Sequence, residues 1–230
     1  MLNNRTKLAT LALMAMTLVG TTVPTFAWTA RFCSGENLAI GVQDSNIGTL
    51  KGPGQTAGFT TLTATDFAAA QSGPKAWTVA TYPGWAPATN IASDCQWVNL
   101  NQSAGASSTA LYAHTFMWNS SSTSANLSVK FLVDDQMGDV GGLDGMYMNG
   151  NPIANSTGGA YNSVTTWNFN NVSMLANQLN TMYFYARNLG SSASGVAYCV
   201  EADAVPEPCT MLSACGFAIG AIMRRKMKKA

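Results

Sequence analysis

The chain has 230 residues and a formal net charge of +1, with only 10% charged side chains against 47% hydrophobic ones. Between residues 28 and 204 only Arg31, Lys51, Lys75, Lys130 and Arg187 oppose ten carboxylates, so the basic stripe that nucleic-acid binding requires is missing. Sparse charge beside abundant Ser, Thr, Asn, Gly and aromatic residues also argues against simple disorder, and it favours short strands and polar loops over amphipathic helices.

At the amino end, Arg5 and Lys7 precede a largely apolar stretch from Leu8 to Val19, and Thr25-Phe26-Ala27 has the small-x-small form of a cleavage site. Residues 1–27 therefore read as an export signal removed by signal peptidase, with Trp28 as the first mature residue; an uncleaved anchor is the competing reading. The interval 28–204 is long enough for one core and short for two.

The first helix signal is Thr65-Asp66-Phe67-Ala68-Ala69-Ala70, with Thr65 in the N-cap position. Next comes the turn-rich Tyr82-Pro83-Gly84-Trp85. Trp85 is the least strand-like of the large aromatics, and thus the best candidate for an exposed ring that stacks on a sugar. Trp77, Trp97, Trp118, Tyr147, Trp167, Tyr183 and Tyr185 lie in strand-like runs, where core packing or cross-strand pairing is the ordinary explanation.

Period-two alternation dominates the centre. In Leu111 to Trp118, Tyr112, His114, Phe116 and Trp118 share one face; in Leu127 to Val133, Leu127, Val129, Phe131 and Val133 oppose Ser128 and Lys130. Further strands are predicted over Cys95–Leu100, Gly145–Asn149, Val164–Phe169, Thr181–Arg187 and Val196–Ala202. Turn clusters such as Asn149-Gly150-Asn151-Pro152 and Asn188-Leu189-Gly190-Ser191 separate them. A turn or two of helix is expected over Ser173 to Leu179, with Leu175 and Leu179 plugging the edge of the fold. This pattern predicts an all-β fold, a single antiparallel β-sandwich.

Asp134, Asp135, Asp139 and Asp144 cluster around Gly138, Gly141 and Gly142. Several carboxylates on one loop suit Ca²⁺, which takes hard oxygen ligands, although the spacing is not that of an EF-hand and solvated turn residues are the alternative. Catalysis has little to stand on. His114, the single histidine, has no triad or zinc-ligand spacing beside it, and Asp134 and Asp135 point to opposite faces if extended. Of the cysteines, Cys33, Cys95 and Cys199 fall in the exported part, where an oxidising compartment permits one disulfide and leaves one thiol. All three pairings are open; the strand-like runs around Cys95 and Cys199 favour Cys95–Cys199.

The carboxyl end has Val205-Pro206-Glu207-Pro208, an apolar run from Cys209 to Met223, and the basic cluster Arg224, Arg225, Lys226, Lys228 and Lys229. The prolines break any helix and hold the segment extended. The apolar run is only ~22 Å long as a helix, short for a lasting anchor in a hydrocarbon core of ~30 Å. It reads as a short hydrophobic helix inserted transiently, with its basic end held in the cytoplasm; a permanent C-terminal anchor is the competing reading.

Residues 205–230 resemble the PEP-CTERM sorting signal of bacterial envelope proteins. Upstream, the order of Trp77-Thr78-Val79, Pro83-Gly84-Trp85, Gln96-Trp97-Val98, Tyr112 to Phe116, Asp134-Asp135, Tyr147-Met148-Asn149-Gly150, Leu179 to Phe184 and Gly195-Val196 resembles the ectodomain of many PEP-CTERM proteins, over most of Asn37 to Ala204. The acidic, Gly-rich stretch from Gln136 to Asp144, Cys33, and Cys209 in place of a small residue depart from that family.

The resemblance implies a jelly-roll or galactose-binding-like sandwich over residues 28–204. It implies an exosortase-type processing enzyme as partner. The destination would be an inner-membrane-tethered intermediate, then the cell surface or extracellular matrix of a Gram-negative bacterium. It implies a non-enzymatic role in exopolysaccharide, biofilm or floc formation, with extracellular polysaccharide as a further partner. The alternative is a Ca²⁺-assisted carbohydrate-binding module, and a hydrolase is the remotest reading.

Overall fold

In the computed structural model of the chain, residues 29–105, 108–139, 142–190 and 193–205 are described; the signal segment and the sorting segment beyond Val205 lie outside them. Twelve strands are found among the described residues: β1 (Thr29–Cys33), β2 (Gln43–Lys51), β3 (Lys75–Val79), β4 (Trp97–Asn99), β5 (Ala110–Trp118), β6 (Ser124–Val133), β7 (Gln136–Met137), β8 (Met146–Met148), β9 (Asn151–Pro152), β10 (Thr165–Ser173), β11 (Gln178–Arg187) and β12 (Val196–Ala204). One α-helix, α1 (Ala64–Ser72), and a 3₁₀ turn at Ala88–Asn90 complete the set. The fold is thus antiparallel β almost throughout, as the alternation predicts.

All strands join one sheet in the order β10-β6-β12-β4-β3-β2-β5-β11-β8-β9, with β1 added on β12 and β7 on β11. The sheet curls over itself. Strands β11 and β12 are far apart along that path, yet Phe184 and Tyr198 stack face to face at 3.8 Å, and Phe32 of β1 stacks on Phe116 of β5 at 4.3 Å. The enclosed core takes the predicted inward faces: Tyr112, Phe116 and Trp118 from β5, and Leu127, Val129, Phe131 and Val133 from β6.

Helix α1 covers the outer face of β5 and β11, where Phe67 and Ala70 pack on Leu111, Ala113, Tyr183 and Tyr185. Its N-cap is Thr63, not Thr65. The Thr63 side chain accepts from the Asp66 amide at 3.3 Å, and the Asp66 carboxylate accepts from the Thr63 amide at 2.8 Å, a reciprocal capping box. No helix among the described residues is long and apolar enough to cross a membrane.

The stretch from Ser173 to Leu179 is not helical. β10 ends at Ser173 and β11 begins at Gln178, and the buried Asn180 pins the turn between them. Its Oδ1 accepts from the Leu175 amide at 2.8 Å, while its Nδ2 donates to the Leu175 and Gln178 carbonyls. Leu175 and Leu179 consequently face solvent, at 46% and 58% exposure, and plug nothing. Side-chain capping of a turn has displaced a helix here, since Asn offers the backbone a local partner.

Candidate functional site

Trp85, expected to be exposed, is buried at 7% exposure. Its turn folds back over a second apolar cluster, the ring lies 4.1 Å from that of Trp97, and its Nε1 donates to Asp134 Oδ1 at 3.1 Å. The turn composition around Trp85 describes the backbone and not the destination of the ring. Burial, followed by the charge of Asp135, pushes the Asp134 carboxyl up to about 6 against the opposing effect of the indole hydrogen bond.

The four aspartates do not assemble into one ligand set. Asp134 serves Trp85. Asp135, in the left-handed region at φ 65°, accepts from the Leu189 and Gly190 amides. Asp139 pairs with Arg187 and accepts from the Tyr185 hydroxyl at 3.1 Å, and Asp144 accepts from the Ser156 amide at 3.4 Å. Each carboxylate serves a different set of partners, and only Asp139 reaches a strand, so the expected Ca²⁺ site is replaced by four separate braces. Among the described residues, the one group of acidic, histidine or cysteine side chains spaced to share a metal ion is Cys33, Cys95 and Cys199.

The disulfide is Cys33–Cys199, not Cys95–Cys199. Cys33 and Cys199 are register partners in the β1–β12 ladder, directly opposite with Cα atoms 4.0 Å apart. Cys95 is a buried free thiol that donates to the Tyr198 carbonyl at 3.6 Å, and burial pushes it up to about 12. β1 carries too few residues for its alternation to announce it as a strand, which is why the pairing was not legible.

His114 sits in the core against Phe32, with its Nδ1 2.9 Å from the Tyr198 hydroxyl. Burial pushes it down to about 3, so it is neutral at physiological pH. Val205 closes the described chain: its amide donates to the Ser124 carbonyl at 3.0 Å, and the Ser122 hydroxyl lies 2.6 Å from the Val205 carbonyl. Pro206, Glu207 and Pro208 of the sorting motif, and the basic residues from Arg224 to Lys229, lie outside the described residues.

A cleft of about 410 Å³ lies elsewhere, where the two ends of the sheet approach each other. One wall is the edge strand β10, contributing Asn168, Phe169, Asn170 and Asn171; the other is β8–β9, contributing Met148, Asn151 and Pro152. Local rules build both walls. Strand β10 bulges between Phe169 and Val172, with Asn171 at φ 56°. Strands β8 and β9 are joined by Asn149-Gly150, both at positive φ, the two-residue hairpin turn that Asn-Gly favours.

No ionisable side chain lines this cleft. Asn amides each present a donor and an acceptor, and Phe169 is half-buried beside Trp167. In the sequence, Asn149 to Pro152 reads only as a turn and the predicted strand ends at Phe169. The signal that could have found the cleft is the alternation Trp167-Asn168-Phe169-Asn170, an aromatic and amide repeat on an edge strand.

No family model matches the chain, and neither does any curated protein. Among solved structures, the chain is similar to a family 35 carbohydrate-binding module from Clostridium thermocellum, with a TM-score of 0.32 and 18% identity over 53% of this chain and 86% of that one. It is also similar to the GH26-CBM35 β-(1,4)-mannanase of Podospora anserina, with a TM-score of 0.34 and 11% identity over 72% of this chain and 29% of the mannanase.

Proposed function

We propose that the protein is an exported, non-enzymatic surface or matrix protein that binds a neutral polysaccharide in the cleft between β10 and β9. The observation that carries this reading is the lining of that cleft, which includes Asn151, Asn168, Phe169, Asn170 and Asn171 and no charged group. Amides match the paired donor and acceptor character of sugar hydroxyls, and an aromatic face accepts the C–H surface of a pyranose ring. The acidic balance of the domain disfavours an anionic polymer. A cleft without an acid–base pair suits retention of a glycan and not its hydrolysis.

Export rests on the basic, apolar and small-x-small pattern of residues 1–27, whereas processing by an exosortase-type enzyme, final placement at the surface or in the matrix, and a jelly-roll or galactose-binding-like classification rest on the resemblance of residues 205–230 and the motif order to PEP-CTERM proteins. Intact-mass analysis of the protein from its host addresses processing. A species starting near Trp28 and ending near Pro208 is expected, and retention of the basic tail overturns it.

Titration calorimetry and a glycan array address the ligand. Binding to neutral oligosaccharides is expected to weaken at least tenfold in Phe169→Ala and in Asn170→Ala. An array without neutral-glycan signal, or binding indifferent to both substitutions, overturns the cleft as the site.

A further inference from the structure

We infer that Cys33, Cys95 and Cys199, once the Cys33–Cys199 disulfide is reduced, form a three-thiolate site for a single soft, thiophilic d¹⁰ cation such as Zn²⁺, Cd²⁺ or Cu⁺. The three sulfurs are buried and all lie within 4.8 Å of one another. A cation bound to three thiolates at ~2.3 Å in a trigonal plane places its sulfurs about 4.0 Å apart. Once the Cys33–Cys199 bond is cut, the two freed sulfurs need only swing apart by side-chain rotation to share one cation with Cys95. An all-sulfur donor set with no carboxylate in it selects soft cations over Ca²⁺ or Mg²⁺.

The backbone positions that carry the sulfurs are held without the disulfide. Ser34, fully buried and next to Cys33, stitches the three segments together. Its amide donates to the Tyr198 carbonyl at 2.9 Å and its carbonyl accepts from the Gln96 amide at 2.9 Å. Its hydroxyl donates to the Gln96 carbonyl at 2.7 Å and accepts from the Tyr198 amide at 3.0 Å. Each partner is the neighbour of a cysteine, 96 beside 95 and 198 beside 199. The β1–β12 ladder adds its five residue pairs. Reduction thus frees two sulfurs inside a preset frame.

Three thiolates around a divalent ion leave one negative charge. Two cations stand near it: Arg31, paired with Asp94 and Glu36, and Lys130, the register partner of Cys199 on β6. Both border a small opening of about 30 Å³ over Cys199, the side from which solvent approaches the cluster.

An external dithiol gives two electrons and two protons to the Cys33–Cys199 bond and becomes a disulfide itself; the cation then displaces the three thiol protons to solvent. Oxidation closes the site, so occupancy follows the redox state of the compartment. The inference is independent of the glycan cleft.

The test uses the full chain carrying Cys209→Ser and Cys215→Ser, reduced with a phosphine and titrated anaerobically with Cd²⁺. One Cd²⁺ per chain is expected, read by thiolate-to-Cd charge-transfer absorption. The oxidised protein is expected to bind none, and Cys95→Ser to bind at least tenfold more weakly. ¹¹³Cd NMR of the unsubstituted site reads the number of coordinated sulfurs without relying on a variant that could misfold. A two-sulfur shift, no uptake, loss of the β-sheet circular dichroism on reduction, or a folded Cys95→Ser variant binding as tightly as its parent overturns the proposal.

Discussion

Trp85 and Asp134, 49 positions apart, meet through a single 3.1 Å hydrogen bond that ties the loop before β4 to the end of β6. The carboxylate on the accepting side is half-buried, and its proton is held more tightly in the folded state than in the unfolded chain, up to about 6 from an ordinary 3.8. The folded protein therefore binds more protons between those values. The contribution of Asp134 to stability is fully present below pH 4 and is lost as pH rises through 6.

Asp134→Asn keeps an acceptor for the indole and removes the titration. It is expected to flatten the decline between pH 4 and 6, by about 1 kcal/mol once partial exposure is discounted. Chemical denaturation of both proteins across that window checks it. An unchanged slope in the variant assigns the pH dependence to another group.

Trp85→Ala is expected to act on stability and not on glycan binding. Truncating a large buried ring packed at a tilt on Trp97 costs about 3–5 kcal/mol. A urea melt reads the loss, and calorimetry below the transition is expected to show unchanged affinity for neutral oligosaccharide. Lost affinity in a folded variant would return Trp85 to the binding surface.

The Cys33–Cys199 bridge closes a loop with a sequence separation of 166. Cys95→Ser retains the bridge, whereas Cys33→Ser with Cys95→Ser removes every pairing within the cluster. The double variant is expected to be about 2–4 kcal/mol less stable than the single one under oxidising conditions. The two are expected to converge when reductant is added, and a gap that survives reduction contradicts this pairing.

Gly48 on β2 lies under the end of α1, where a β-carbon would stand 2.3 Å from the Ala70 carbonyl oxygen and 2.7 Å from that of Gln71. Gly48→Ala is expected to lift the helix at a cost of about 1–3 kcal/mol. Amide exchange is the sharper measure: protection should fall in α1 and on the outer face of β11 while the enclosed core keeps its protection. Uniform loss throughout would mean that the helix is not a separable layer.

The parts of the fold legible in the sequence are those where one face is buried and the other wet. Strands β5 and β6 state their register through Tyr112 to Trp118 and Leu127 to Val133, because a period of two maps directly onto inside and outside. β2 hid itself, since its pairing with β3 slips between Asp44 and Gly48 and its buried positions follow no alternation. Trp85 misled because a turn-forming sequence fixes only local backbone, while the ring followed the loop inward over Trp97.

The candidate cleft was the least legible. It exists only because residues 151 and 170 come together at opposite ends of one sheet, and no local pattern encodes that meeting. The cysteines were a subtler case. All three sulfurs converge, so proximity alone does not choose a pair; the β1–β12 register does.

The open seam also bears on how this chain behaves in company. A curled sheet that stops short of closure leaves two strand edges with backbone groups able to recruit a neighbour's strand. Here one edge carries Pro152, which has no amide hydrogen to offer, and the other is bent by the bulge at Asn171. The irregularities that shape the cleft walls also spoil them as templates. Crowded copies of this domain are therefore poorly suited to join edge to edge into β-fibres.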